Sequence, residues 1–310
     1  MSFWESKLGS VVGVLLLAWV LAVGTAGFRV HRATHPPRET GDFDFGSMHI
    51  PVDKVQFTAP DGVRLVGWLI HGDPQMPPVL LCHDLGASKA SMVNLGIDLH
   101  ERGHTVLLFD FRGHGESEGE GSTLGLDEKR DVLGALDWLG ARMGREASRV
   151  GVYGVGMGAH AAVLAASDRS SLRVLVLDGL YPDASYPLAR DVFAGWQPGV
   201  RHLSFLSNGL FALMSRARIG DHRAAERLPG LLGRDLLLLA PEGDRELMAA
   251  TQRMVESVPE QRDVDGNMVV LPVTQGDGLY GADFDRHREQ VVHFFAERLT
   301  PGPVASHIGR

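Results

Sequence analysis

"RVGVYGVGMGAHAAVLAA", residues 149–166, decides how the rest of the chain is read. Val150 to Tyr153 is a short apolar run with β-branched residues, the composition of a strand buried on both faces. Gly154, Gly156 and Gly158 then alternate with Val155 and Met157. Glycine at such spacing admits positive φ and close backbone approach. From Ala159 to Ala166 the stretch is alanine-rich, and alanine is the best helix former. The segment therefore predicts a strand, a tight turn and a helix.

Working outward, the same alternation recurs. "VQFTAPDGVRLVGWLI" (55–70) reads as two strands around the turn Pro60-Asp61-Gly62. "PPVLLCHDLGAS" (77–88) is an apolar run ending in a loop, and "SMVNLGIDLHERG" (91–103) is a helix closed by Gly103. "HTVLLFDF" (104–111) is a buried strand, and "LGLDEKRDVLGALDWLGARMG" (124–144) has apolar positions at helical spacing. "RVLVLDG" (173–179), "DLLLLAPEGD" (235–244) and "NMVVLPV" (267–273) are further strands, and "ADFDRHREQVVHFFAERL" (282–299) is an amphipathic helix. Short buried strands alternating with helices predict an α/β fold, a mostly parallel sheet covered on both faces. Ligands on such sheets sit at the carboxyl ends of the strands.

The 310 residues are 44% hydrophobic with a formal net charge of −8. The absence of a basic cluster argues against nucleic acid as a partner. Cys82 is the single cysteine, so no internal disulfide forms, and no Cys/His cluster has zinc-ligand spacing. No metal site and no cofactor are expected. From Leu8 to Phe28, "LGSVVGVLLLAWVLAVGTAGF" carries no charge. About 20 apolar residues cross a bilayer as a helix. Residues 1–28 thus read as a transmembrane helix or signal anchor, with a cleavable signal peptide ending near Gly24-Thr25-Ala26 as the rival. A single-pass membrane association is expected. Positive-inside counting over Lys7, Arg29, Arg32 and Arg38 leans toward a cytoplasmic body. "RATHPPRETGDFDFGSM" (32–48) lacks periodicity, so residues 29–51 read as a juxtamembrane linker; 52–300 form the α/β domain and 301–310 a tail.

Several motifs in order resemble an α/β-hydrolase of the serine aminopeptidase/esterase type with an N-terminal membrane anchor. They are "TAPDGVRLVGWLI" (58–70), "LLCHDLGAS" (80–88), "FDFRGHGESEG" (109–119) and "LDEKRDVLGALDWL" (126–139), followed by the 149–166 turn. The resemblance covers residues 52–298 and implies a helical cap at 181–230, where the strand–helix alternation is interrupted. It places His83-Asp84-Leu85-Gly86 at the oxyanion loop, and Asp110, Arg112, Gly113, His114, Gly115 and Ser117 in a structural loop. It also places the nucleophile turn, ordinarily Gly-x-Ser-x-Gly, at Gly154-Val155-Gly156-Met157-Gly158.

Acyl transfer needs a nucleophile, a base and a group that orients the base, in the chain order nucleophile, acid, histidine. The nucleophile position holds Gly156, and the histidine position in "VTQGDGLYGADF" (273–284) holds Leu279. The acid position falls on Asp244, with Glu242 second. Asp84 replaces a glycine of the oxyanion loop, where a carboxylate would repel a developing oxyanion. The pocket is expected around His83, Asp84, Leu85, Gly86, Met157 and His160. His287 and His293 read as surface or packing residues of the last helix, Ser88 and Ser91 as helix caps or surface groups, and Cys82 as a packed small hydrophobe. The expected function is a catalytically inactive, membrane-tethered protein that binds a small ligand or a protein partner. Two alternatives remain open: an esterase or peptidase with a rearranged site, and a dinucleotide binder using Gly154-x-Gly156-x-x-Ala159 with Asp178 on the ribose.

Overall fold

The computed structural model describes residues 2–41, 43–143, 150–192, 204–215, 223–241, 244–257, 268–273 and 282–299. Eight strands form one sheet: β1 Val52–Thr58, β2 Arg64–Ile70, β3 Val79–Cys82, β4 Val106–Phe109, β5 Gly151–Val155, β6 Val174–Asp178, β7 Asp235–Pro241 and β8 Met268–Val273. Their order is β1-β2-β4-β3-β5-β6-β7-β8. The pairs β1–β2 and β2–β4 are antiparallel, and every later pair is parallel. The antiparallel hairpin follows from Gly62, whose φ of 92° the tight turn after Pro60 requires.

Period-two alternation sends each strand's residues to two cores. Leu80, Cys82, Leu107, Phe109, Val152 and Leu175 face one side, beneath α3 (Glu128–Met143) and α4 (Met157–Asp168). Val79, Leu81, Val106, Leu108, Tyr153 and Val176 face the other, beneath α2 (Val93–Glu101) and α9 (Ala282–Arg298). Burial on both faces is why these strands read as continuous apolar runs.

The cap region contributes α5 (Ser185–Val192), α6 (Ser204–Ser215) and α7 (Ala224–Arg227), and α8 (Arg245–Glu256) follows β7. Helix α1 runs from Ser2 to Thr34, past Phe28 and into the segment read from sequence as a linker. The first backbone obstacle is Pro36, and the helix stops just before it. Its end docks on the cap, with Val30 fully buried among Leu126, Leu188 and Phe211. Farther along the 29–51 segment, Phe43, Phe45 and Ile50 lie against the α2/α9 core. Glu242, Leu279 and the tail 301–310 lie outside the described residues.

Candidate active site

Gly156 joins β5 to α4 with φ 49° and ψ −107°, a region that side-chain-bearing residues rarely adopt. Its N–H donates to the Asp178 carbonyl at 2.8 Å. A Cβ at Gly158 would collide with the Cys82 and His83 backbone, so the start of α4 lies directly on the end of β3. Gly154 similarly has the backbone of Gly158 and Ala159 against it. These glycines bring the loop after β3 against the turn after β5.

That approach decides the chemistry. Asp84 Oδ1 accepts hydrogen bonds from the Leu85 N–H at 2.7 Å and the Met157 N–H at 2.8 Å. An oxyanion hole on this fold uses the N–H after the nucleophile and one from the loop after the third strand. Both donors are present, and a carboxylate of the chain itself is seated on them. A Cβ at Gly156 would overlap the same carboxylate. The Asp84 carboxylate therefore holds both N–H groups and fills the space beside Gly156. Burial raises its pKa above the ordinary carboxylate value, against the opposing pull of the two N–H donors.

The loop around Asp84 is held by two histidines. His83 donates from Nδ1 to the Asp84 carbonyl at 2.7 Å and accepts the Phe111 N–H at Nε2 at 3.1 Å. Burial, followed by the neighbouring His114, pushes the His83 imidazole down to about 4, so it stays neutral at pH 7. His114 accepts the Gly86 N–H at 3.1 Å and donates to the Arg112 carbonyl at 2.9 Å. Nearby, Asp110 binds Lys89 Nζ at 2.6 Å, Arg112 forks onto Asp131 and Asp61, and Ser117 Oγ donates to the Asp110 carbonyl at 2.6 Å. The side chains of Asp110, Arg112, His114 and Ser117 thus make internal hydrogen bonds. Gly113 and Gly115 have φ of 71° and 46°.

Above Gly156 lies a cavity of about 280 Å³ bounded by Asp84, Tyr181, Tyr186, Arg190 and Asp244. Asp244 caps α8 by accepting the Leu247 N–H at 2.9 Å, and it accepts the Tyr186 hydroxyl at 2.6 Å. Arg190 approaches it at 3.4 Å. Met157 faces the site only through its N–H; its side chain is buried and its Sδ accepts Ser122 Oγ–H at 3.1 Å. His160 is buried and stacked on Tyr181, its ring centroid 4.7 Å away, so it supports the cavity wall from behind. Ser88 stands before a short 3-10 turn without a side-chain cap bond, and Ser91 Oγ donates to the Ser88 carbonyl. The Cys82 thiol is fully buried, and burial pushes its pKa up.

One pairing escaped the sequence reading. His287, read as a surface or packing residue, puts Nε2 2.8 Å from Asp178 Oδ2, which also accepts the Tyr153 hydroxyl at 2.9 Å. The partners are 109 residues apart, and no local pattern signals the pair. It also engages Asp178, the carboxylate that the dinucleotide alternative needs for a ribose. The N-terminus of α4, where a pyrophosphate would sit, already holds the Asp84 carboxylate.

The topology is that of solved α/β-hydrolases. The Pyrococcus furiosus esterase Pf2001 superposes with a TM-score of 0.64 at 21% identity, over 86% of this chain and 99% of that one. An α/β-hydrolase from Vibrio vulnificus gives 0.62 at 19%, over 87% and 91%. In sequence, protein YfhR of Escherichia coli O157:H7 is 31% identical over 261 residues, 80% of this chain and 82% of that protein. The chain belongs to the α/β-hydrolase superfamily, in one family with YfhR. Residues 39–189 of this hydrolase-fold chain match the X-Pro dipeptidyl-peptidase (S15 family) model. A Mycobacterium tuberculosis protein is 34% identical over 105 residues, and the match spans 37% of its length.

Proposed function

We propose that this chain is a membrane-tethered binding protein on a hydrolase scaffold, and that its site performs no serine-type acyl transfer. The observation that carries the reading is the Asp84 carboxylate on the Leu85 and Met157 N–H groups. A tetrahedral intermediate needs those donors vacant and a nucleophile beside them. Here the donors are engaged by an anion, and position 156 has no side chain. The tether is α1, whose stretch Gly9–Thr34 is 26 residues long and apolar enough to cross a bilayer. Its continuation is tied to the body: the Thr34 carbonyl accepts the Ser122 N–H at 2.7 Å, and Arg38 donates to the Ser117 and Gly119 carbonyls. The cavity is then held beside the membrane, ready for a small ligand or a segment of a protein partner.

Purified full-length chain in detergent, treated with a fluorophosphonate and a panel of short esters and peptides, is expected to show no labelling and background turnover. Serine-dependent turnover overturns the reading. The tether is tested by fractionation: the chain should stay with membranes in high salt, and a soluble protein beginning near Gly27 overturns it.

The Asp178–His287 pair favours a second reading, hydrolysis through a rearranged site, because an Asp–His pair is the arrangement that orients a general base. Turnover abolished by His287→Ala would establish it.

A further inference from the structure

The binding reading says nothing of what the ligand is, and the charge of the site does. Asp84 Oδ1 is saturated by two N–H donors. Asp84 Oδ2 accepts no hydrogen bond among the described residues, and the residue lines the cavity above Gly156. The other charged residues on the wall are Asp244 and Arg190, and they face each other at 3.4 Å. Among the described residues, two carboxylates against one guanidinium leave this wall one charge negative. Asp244 has in addition the Tyr186 hydroxyl and the Leu247 N–H. Among the described residues, Asp84 is thus a cavity-lining acceptor with unused capacity, and its carboxylate lies against the Gly156 turn. A carboxylate placed there repels anions and leaves a part-buried acceptor for a cationic donor.

We propose that the cavity takes a small ligand headed by a primary ammonium group, which donates to Asp84 Oδ2. The inference rests on the non-catalytic binding reading and names the ligand class for the same site. It inverts the scaffold's usual preference: a place built to stabilise negative charge becomes, through one side chain, a place for positive charge. At about 280 Å³ the cavity is at the small end for ligand pockets, so the partner group is an amine head with a short chain. A positive head is also favoured over a neutral alcohol, since a charge-assisted hydrogen bond is about twice as strong as a neutral one.

The test uses three probes of one shape and different charge: n-butylammonium, n-butanol and n-butyrate. Binding to the full-length chain in detergent is followed by NMR titration at neutral pH, and ester turnover is measured on the same samples. Wild type is expected to bind butylammonium at least about tenfold more tightly than butyrate, the size of effect one charge-assisted hydrogen bond supplies. Asp84→Asn keeps the shape and an acceptor for the two N–H groups, and should abolish the preference. Asp84→Gly vacates the two N–H donors and should turn the preference toward butyrate. Equal or tighter butyrate binding by wild type, a preference unchanged in Asp84→Asn, or no binding of any probe overturns the proposal. Ester turnover in the wild-type sample overturns the non-catalytic reading instead, so the two failures are told apart.

Discussion

Asp84 and Asp110 stand on neighbouring loops, after β3 and β4, and each presses its carboxylate against a positive-φ glycine that has no room for a Cβ. There the likeness ends. Asp110 is fully buried with both oxygens engaged: it accepts the Lys89 N–H at 2.8 Å, Lys89 Nζ at 2.6 Å and the Glu116 N–H at 3.0 Å. Lys89 is itself buried, reaches Glu116 at 2.8 Å and lies 4.7 Å from the Trp68 ring centroid. Asp84 uses one oxygen and turns toward a cavity. A carboxylate with both oxygens engaged holds a loop. One left half-engaged over a cavity has capacity for a ligand, and the local glycine geometry alone does not tell the two apart.

The comparison can be broken most forcefully at Lys89. Lys89→Met leaves Asp110 buried without its cation, and removing one partner of a buried ion pair costs about 3–5 kcal/mol. Urea denaturation should show that loss, while a loss under about 1 kcal/mol would mean Asp110 is not structural in the way argued.

Gly156→Ser is the next largest. It puts a side chain into strained backbone, which costs about 1–3 kcal/mol, and drives it into the Asp84 carboxylate. The single variant should melt lower and gain no ester turnover. Adding Asp84→Gly removes the overlap and should recover part of the loss. A double variant no more stable than the single one would show that the overlap is unimportant.

Asp244→Ala removes a helix cap, a loss of about 1 kcal/mol. Burial pushes the Asp244 pKa up, but the Tyr186 hydroxyl, the Leu247 N–H and Arg190 outweigh it and hold the carboxyl below its ordinary value. A depressed carboxyl contributes stability above its unfolded-state pKa and loses it as pH falls through the folded value. The gap between wild type and Asp244→Ala should therefore be open at pH 7 and close below about pH 4. A gap independent of pH would assign the effect to packing.

The smallest effect is expected at Asp84→Asn, within about 1 kcal/mol at neutral pH. The Asp84 carboxyl has a raised pKa from burial, so the sign is opposite to Asp244. Wild-type stability falls as pH rises from the unfolded-state value, about 4, toward the folded one. The variant lacks this slope, and its stability relative to wild type should rise with pH across that window. A variant whose relative stability falls with pH would mean the native site favours the ionised carboxylate.

Much of this is legible in the sequence. The buried strands β3, β4, β5, β6 and β7 were legible because a strand covered on both faces carries uninterrupted apolar residues. The turn at Gly156 was legible because alternating glycines between a strand and a helix have few other uses. The end of α1 was not legible: residues 29–34 lack an apolar period, and they are helical because they continue a long helix and dock on the cap. His287 was not legible either, since a histidine among charged residues on an amphipathic helix looks solvated until the sheet places Asp178 beside it.

What the chain by itself determines is therefore local and periodic: the order of strands and helices, the glycines, the missing side chain at position 156, and the presence of a carboxylate at position 84. What only the tertiary structure decided is where that carboxylate goes. Asp84 and Met157 are 73 residues apart, and their hydrogen bond exists because β3 and β5 pair side by side with Gly158 letting α4 close onto the end of β3. A sequence records which charges a loop carries, but whether a charge meets two N–H groups, a lysine or an open cavity depends on distances of a few ångströms that are set by the packing of the sheet.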